Sequence, residues 1–154
     1  MAGLEDLTLL KKAEEIADAN WNLVQSWNEF DRDTLGKQLV RAMDSVGANV
    51  AEAFGRFHYG EKINFLYYAR GSVFESKYWI NRAQKRHLIS LETHQQYAAQ
   101  LTDVAVGINN FIRSLKNQRT TSKVSNLREP GPDYVTKNDV FFTDKDLLWL
   151  SESP

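Results

Sequence analysis

Between Tyr97 and Leu115 the apolar residues keep a strict spacing: Tyr97, Leu101, Val104, Ile108, Phe111 and Leu115 advance by four, three, four, three and four. A stripe of that period runs straight along one side of an α-helix and is hidden only against other helices of similar length. The rest of the first 117 residues supplies them. Leu35, Leu39, Ala42, Val46, Val50, Ala53 and Phe57 repeat by four, three, four, four, three and four, with Asp33 or Thr34 placed to cap the start. Leu9, Ala13, Ile16, Leu23, Trp27 and Phe30 mark an earlier amphipathic helix over about residues 5 to 29, interrupted at Asn20 and ended by the polar run Asp31, Arg32 and Asp33. Tyr59, Gly60 and Glu61 turn the chain into a third helix over about residues 61 to 88, and Ser90, with Glu92 in the first turn, caps the fourth. Four helices of roughly 25 residues joined by three short connections predict an all-α fold: an antiparallel up-down-up-down four-helix bundle over residues 1–117.

From Asn117 the spacing fails. Residues 118–154 read as a linker, with a turn at Pro130, Gly131 and Pro132, and then a C-terminal extension that is both acidic and apolar, holding Phe141, Phe142, Leu147, Leu148 and Trp149. So short a segment cannot build its own core. It either docks on the bundle or a neighbouring subunit, or is a partner-binding motif that orders on contact.

Composition narrows the function classes. With 42% apolar and 12% aromatic residues, the chain is neither disordered throughout nor of low complexity. It has no cysteine, which excludes a disulfide framework, a thiolate metal site and a cysteine nucleophile. No apolar run approaches the ~18 residues that span a bilayer, and the start, MAGLEDLTLLKKAEE, is acidic where a signal peptide is basic, so the expected location is cytoplasmic with no membrane partner. A net charge of −1 argues against a generic polyanion binder.

The faces of the helices carry the candidate sites. On the second helix Arg41, Ser45, Asn49, Glu52 and Arg56 form a polar stripe beside the apolar one, with Ser72 and Glu75 on the third helix as candidate partners. Such a stripe is either a buried polar network that fixes helix register or a ligand site. The third helix is apolar on two sides. Ile63, Tyr67, Phe74 and Tyr78 lie nearly opposite its core stripe, interleaved with Arg70, Lys77 and Lys85. A four-helix monomer covers one side of each helix, so this second face, together with the tail, is a candidate subunit or partner interface. Gly47, outside the core seam, is consistent with another chain packing closely there. Aromatic and basic residues together also suit RNA, for which Arg70, Lys77, Arg82, Lys85 and Arg86 are the candidate contacts.

Catalytic constellations are absent. A di-iron bundle needs Glu-x-x-His pairs, and no Glu here has His three residues on; His58, His87 and His94 fall near helix ends. Glu14, Glu15 and Asp18 imitate half of the acidic cluster of an all-α nucleotide pyrophosphohydrolase, but no second acidic pair completes it. No phosphate loop, zinc motif or nucleophile elbow occurs, and no cofactor is expected.

The run QLVRAMDSVGANVAEAFGR from Gln38 to Arg56, followed by FLYYARGSVFESKYW from Phe65 to Trp79, resembles the bacterial four-helix-bundle family of 23S rRNA intervening-sequence proteins. Arg41, Ser45, Asn49, Ala51, Glu52, Gly55 and Arg56, then Ala69, Ser72 and Glu75, match its signature, with Ala53 standing where the family has Gly. The resemblance implies a left-handed bundle without enzymatic activity, assembled as a ring-shaped homo-oligomer, often a pentamer. Relatives of similar architecture are accessory subunits of reverse transcriptases in diversity-generating retroelements. Those relatives are strongly basic, and typical short members lack the tail.

Two roles follow as expectations: a homo-oligomeric scaffold or adaptor, and an RNA-binding accessory factor to a reverse transcriptase or the ribosome. The charge distribution bears on both. Residues 1–33 carry eight acidic and three basic groups, residues 34–117 six acidic and eleven basic, and the tail six acidic and five basic. An acidic first helix against basic later ones suits head-to-tail self-assembly and also leaves room for a local RNA site.

Overall fold

The computed structural model describes residues 3–124 and 142–154. Among them lie α1 (Leu4–Gln25), α2 (Glu29–Asp31), a π-helical turn (Arg32–Gly36), α3 (Lys37–Gly55), α4 (Tyr59–Lys85), α5 (Leu91–Val124) and α6 (Asp144–Ser151). α1 packs on α3, α3 on α4, α4 on α5, and α5 back on α1, while α6 lies on α5. The short connections at 26–28, 56–58 and 86–90 force successive helices to run antiparallel, so the four-helix bundle stands, with one appended helix. The heptad residues Leu101, Val104 and Ile108 are fully buried, as are Leu39, Val46, Val50 and Ala53 on α3.

The start of the second helix differs from expectation. Asn28 is the N-cap: its side chain accepts the Asp31 backbone N–H at 3.0 Å, several residues before Asp33 or Thr34. The Asp31, Arg32 and Asp33 run therefore belongs to the first turns of a continuous helical rod rather than to a break. Within it the π turn brings Gly36 against α1, where an added Cβ would stand 2.6 Å from Val24 Cγ1. α1 accordingly ends at Gln25, and Phe30, expected in its stripe, is 75% exposed. Asn20, expected to interrupt that stripe, is fully buried within it.

Three further corrections concern helix ends and faces. α3 stops at Gly55 because Arg56 is extended, which leaves Phe57 exposed rather than in the core stripe. An added Cβ at Gly47 would meet Ala13 at 3.8 Å, so this glycine faces α1 of its own chain and not another chain. α5 runs to Val124, beyond the expected end at 117, while its start is as read: Ser90 Oγ accepts the Thr93 backbone N–H at 3.0 Å. α4 closes with His87 in the left-handed region (φ 59°), letting the Leu88 N–H reach the Ala83 carbonyl at 2.9 Å.

Candidate functional site

The most elaborate surface of the bundle is the groove between α4 and α5, and the chain's own C-terminal segment fills it. α5 contributes Asn109, buried beside the heptad stripe. Its amide Nδ2 donates to the Phe142 carbonyl at 2.9 Å, and its Oδ1 accepts the Phe142 backbone N–H at 2.7 Å. One side chain thus satisfies both main-chain groups of one residue, as a strand partner would. The Phe142 ring, 1% exposed, lies 5.5 Å from the ring of Phe74 on α4, and Trp149 lies 5.6 Å from the same ring. Leu150, one turn from Leu147, is wholly buried.

Charge complements the aromatic contacts. α6 begins with a capping box in which the Thr143 hydroxyl accepts the Asp146 N–H at 3.2 Å and the Asp146 carboxylate accepts the Thr143 N–H at 2.9 Å. That carboxylate also meets the Arg70 guanidinium at 3.4 Å, and Arg70 lies 4.7 Å from the Phe74 ring centre. The Thr143 backbone N–H, helped by its hydroxyl and by Arg70, holds Asp146 below the usual carboxylate range. At the other end of α6, Lys77 Nζ donates to the Glu152 carbonyl, with the Trp149 ring centre 5.5 Å away. An ammonium at the C-terminal end of a helix sits where the helix dipole is negative.

Lys77 is 1% exposed, and that burial lowers its pKa against an opposing pull from Glu152. Beside it His94, fully buried, has Nε2 2.7 Å from Asn81 Oδ1. Desolvation, followed by the Lys77 charge, lowers the His94 pKa to about 4. At neutral pH the imidazole is uncharged, and Nε2–H donates to Asn81.

The residues expected at sites fall into separate places. Of the basic set, Arg70 pairs with Asp146 and Lys77 lies beneath the tail, so both are turned to the groove rather than to an external polyanion. Arg82 lies 5.8 Å from the Tyr78 ring, whereas Lys85 and Arg86 are exposed at the end of α4. Of the second-face set, Ile63 belongs to the core and Phe74 is covered by the tail. Tyr67 is half-buried and Tyr78 half-exposed. Phe142, Leu147 and Trp149 pack on the bundle, Leu148 points outward at 60% exposure, and Phe141 lies outside the described residues.

The polar stripe is a compact seam between α3 and α4. Ser72 Oγ donates to Ser45 Oγ at 2.9 Å, and Asn49 Nδ2 donates to the Ser45 carbonyl at 2.8 Å. Glu52 and Arg56 pair with each other at 3.0 Å, with Arg56 stacked 4.5 Å over Phe65. Glu75 does not join; it accepts the Trp79 indole N–H at 3.2 Å. Arg41 instead lines an open hollow with Trp21, Arg32 and Lys37. Sequence reading missed Asn109, Asn81, His94, Asp146 and Glu152. Only Asn109 carried a signal, an amide flanking an otherwise apolar seam.

Among the described residues no group of three or more His, Asp or Glu is placed to hold a metal, and no helix is long and apolar enough to cross a membrane. The fold is a four-helix bundle with an appended helix seated against α4 and α5. Residues 5–110, more than half of the chain, match the model of the 23S rRNA-intervening sequence protein, and the chain belongs to that family. Membership places it among non-enzymatic proteins. No curated protein matches the chain.

Proposed function

We propose that the chain is a homo-oligomeric four-helix-bundle scaffold or adaptor, assembled as a ring, with a pentamer favoured by the family, and working in the cytoplasm. The observation that carries this reading is a bare stripe on α4. Tyr68 and Tyr78 are 60% and 50% exposed and flank Gly71, an interior glycine of a 27-residue helix with nothing within 4 Å of an added Cβ. Glycine there costs about 1 kcal/mol relative to alanine, with no compensating contact inside the chain. A neighbouring subunit seated against the glycine, between the two tyrosines, supplies that compensation. Exposed Ala48, Ala51 and Gly55 on α3 extend the same small-residue character to the neighbouring helix. Light scattering coupled to size exclusion tests the reading: a multiple of 17.7 kDa at micromolar concentration is expected, and a clean monomer overturns it.

A second reading, an RNA-binding accessory factor to a diversity-generating reverse transcriptase or to the ribosome, rests on exposed Lys85 and Arg86 at one end of α4. A ring multiplies such a small basic patch by its copy number. It predicts salt-sensitive binding of structured RNA that weakens in the Lys85→Glu, Arg86→Glu double variant, and salt-independent or absent binding discards it.

A further inference from the structure

The groove between α4 and α5 holds a segment of its own chain, and that segment lies outside the family match that covers the walls. Arg70, Phe74, Lys77 and Asn109 all lie within residues 5–110 that match the family model, whereas the segment they hold, residues 142–152, lies outside it. The walls lie inside the family match, and the segment they hold lies outside it.

Recognition is specific in kind. Asn109 reads the main chain at one residue, the aromatic wall of Phe74 takes a ring there, and Leu150 fills a buried site eight residues on. Arg70 takes a carboxylate four residues after the ring, and Lys77 takes the carbonyl end of the helix between them. These are the components of a helix-in-groove site with an extended anchor in front of it.

The tether does not dictate whose groove is filled. Phe142 sits at Asn109, fifteen residues back along α5 from Val124, a return of about 22 Å at helical rise. Seventeen residues connect Val124 to Phe142, and a chain of that length reaches roughly 60 Å when extended. The covalent length of the connection therefore exceeds the return by more than the width of a neighbouring helix pair.

We infer that the α4 and α5 groove is a peptide-recognition site for the acidic, aromatic segment 142–154, and that it accepts this segment from a second copy of the chain as well as from its own. Tail exchange then links subunits that the bundle faces bring together. The inference rests on the assembly reading only for the nearness of the second copy, because the groove itself binds in trans whether or not a ring forms.

The test adds a fluorescently labelled peptide of residues 142–154 to the full chain and follows its anisotropy. The resident tail competes at an effective concentration of millimolar order, so the unaltered chain binds weakly. A chain carrying Phe142→Ala and Leu150→Ala empties its own groove and is expected to bind the peptide at least tenfold more tightly. Adding Asn109→Leu to that chain is expected to remove the gain, as is the same Phe142→Ala change in the peptide. Trp149→Ala, at a half-exposed position, is expected to give the same ordering with smaller amplitude, which covers failure of the double variant to fold. The inference is overturned if the emptied, helical chain binds the peptide no better than the unaltered chain does. It is equally overturned if a scrambled peptide binds as well, or if structured RNA displaces the peptide from the emptied groove. Failure here leaves the light-scattering result untouched, so the two readings fall separately.

Discussion

α4 takes part in two polar contacts of opposite character. Toward α3 it presents Ser72 to Ser45, small neutral groups bonded to each other and to their own helices. Toward the tail it presents Lys77 and Arg70, charged groups that depend on a segment arriving from far along the chain. The first seam is closed by helices adjacent in sequence and needs no charge to leave water. The second places an ammonium at 1% exposure, which is tolerable only while the Glu152 carbonyl and the Trp149 face stay in place. The contact between adjacent helices thus uses small neutral groups, and the contact made by the C-terminal segment uses charge and aromatic anchors.

The largest expected effect breaks the second contact alone. Removing a buried aromatic ring costs about 3–5 kcal/mol, so Phe142→Ala is expected to undock residues 142–154 while α1, α3, α4 and α5 keep their helicity. Tryptophan emission, shifted to the red as Trp149 enters water, and unchanged far-ultraviolet circular dichroism would show it. Loss of bundle helicity would mean that the four-helix bundle does not hold without the tail, whose Phe142 and Leu150 share its apolar cluster.

Next is the pH response at His94, beside Lys77. His94 has its pKa lowered to about 4 in the folded chain, against 6.5 for an ordinary histidine. The unfolded state therefore binds a proton that the folded state refuses between those values. The stability this contributes is complete above about pH 6.5 and is lost as pH falls toward 4, by up to about 3 kcal/mol. Urea melts of the wild type and His94→Gln across that range would show the difference, and parallel curves would contradict it. In Phe142→Ala the imidazole pKa, followed by NMR, is expected to rise as the site is wetted.

The first seam gives smaller effects. Ser72→Ala removes a hydroxyl shared between Ser45 Oγ and the Tyr68 carbonyl and is expected to cost about 1 kcal/mol, since Asn49 still engages Ser45. Glu52→Ala breaks an exposed pair at 3.0 Å and is expected to change stability by less than about 0.5 kcal/mol. A larger loss from either would make that seam more than a register device.

The bundle was legible because its seams repeat. Leu39, Val46, Val50, Leu101, Val104 and Ile108 announce their burial through spacing alone, whereas the wheel offered Ser72 and Glu75 alike to the polar stripe and did not say that Ser72 meets Ser45. The start of the second helix was misread because Asp31, Arg32 and Asp33 look like a break, whereas a helix's first turn accepts such residues and Asn28 caps it. The groove was legible only in part. Both its components were visible, an over-apolar helix with cations and a tail of aromatics and acids. Nothing in periodicity joins segments separated by a linker, so Arg70 and Lys77 read as free cations when Asp146 and Glu152 were their partners. Asn109 showed only as an amide beside an apolar seam, because the backbone it meets has no sequence signature.

Hydrogen exchange on the full chain at neutral pH tests the contrast most directly. The account predicts that the amides of Leu147, Leu148, Trp149 and Leu150 exchange through a separate opening, at least tenfold more often than those of Val73, Ile80 and Leu101. If the amides of α6 and of the bundle core instead share one protection factor and one denaturant dependence, the tail opens only with the whole molecule, and the account of a detachable segment in a preformed groove is contradicted.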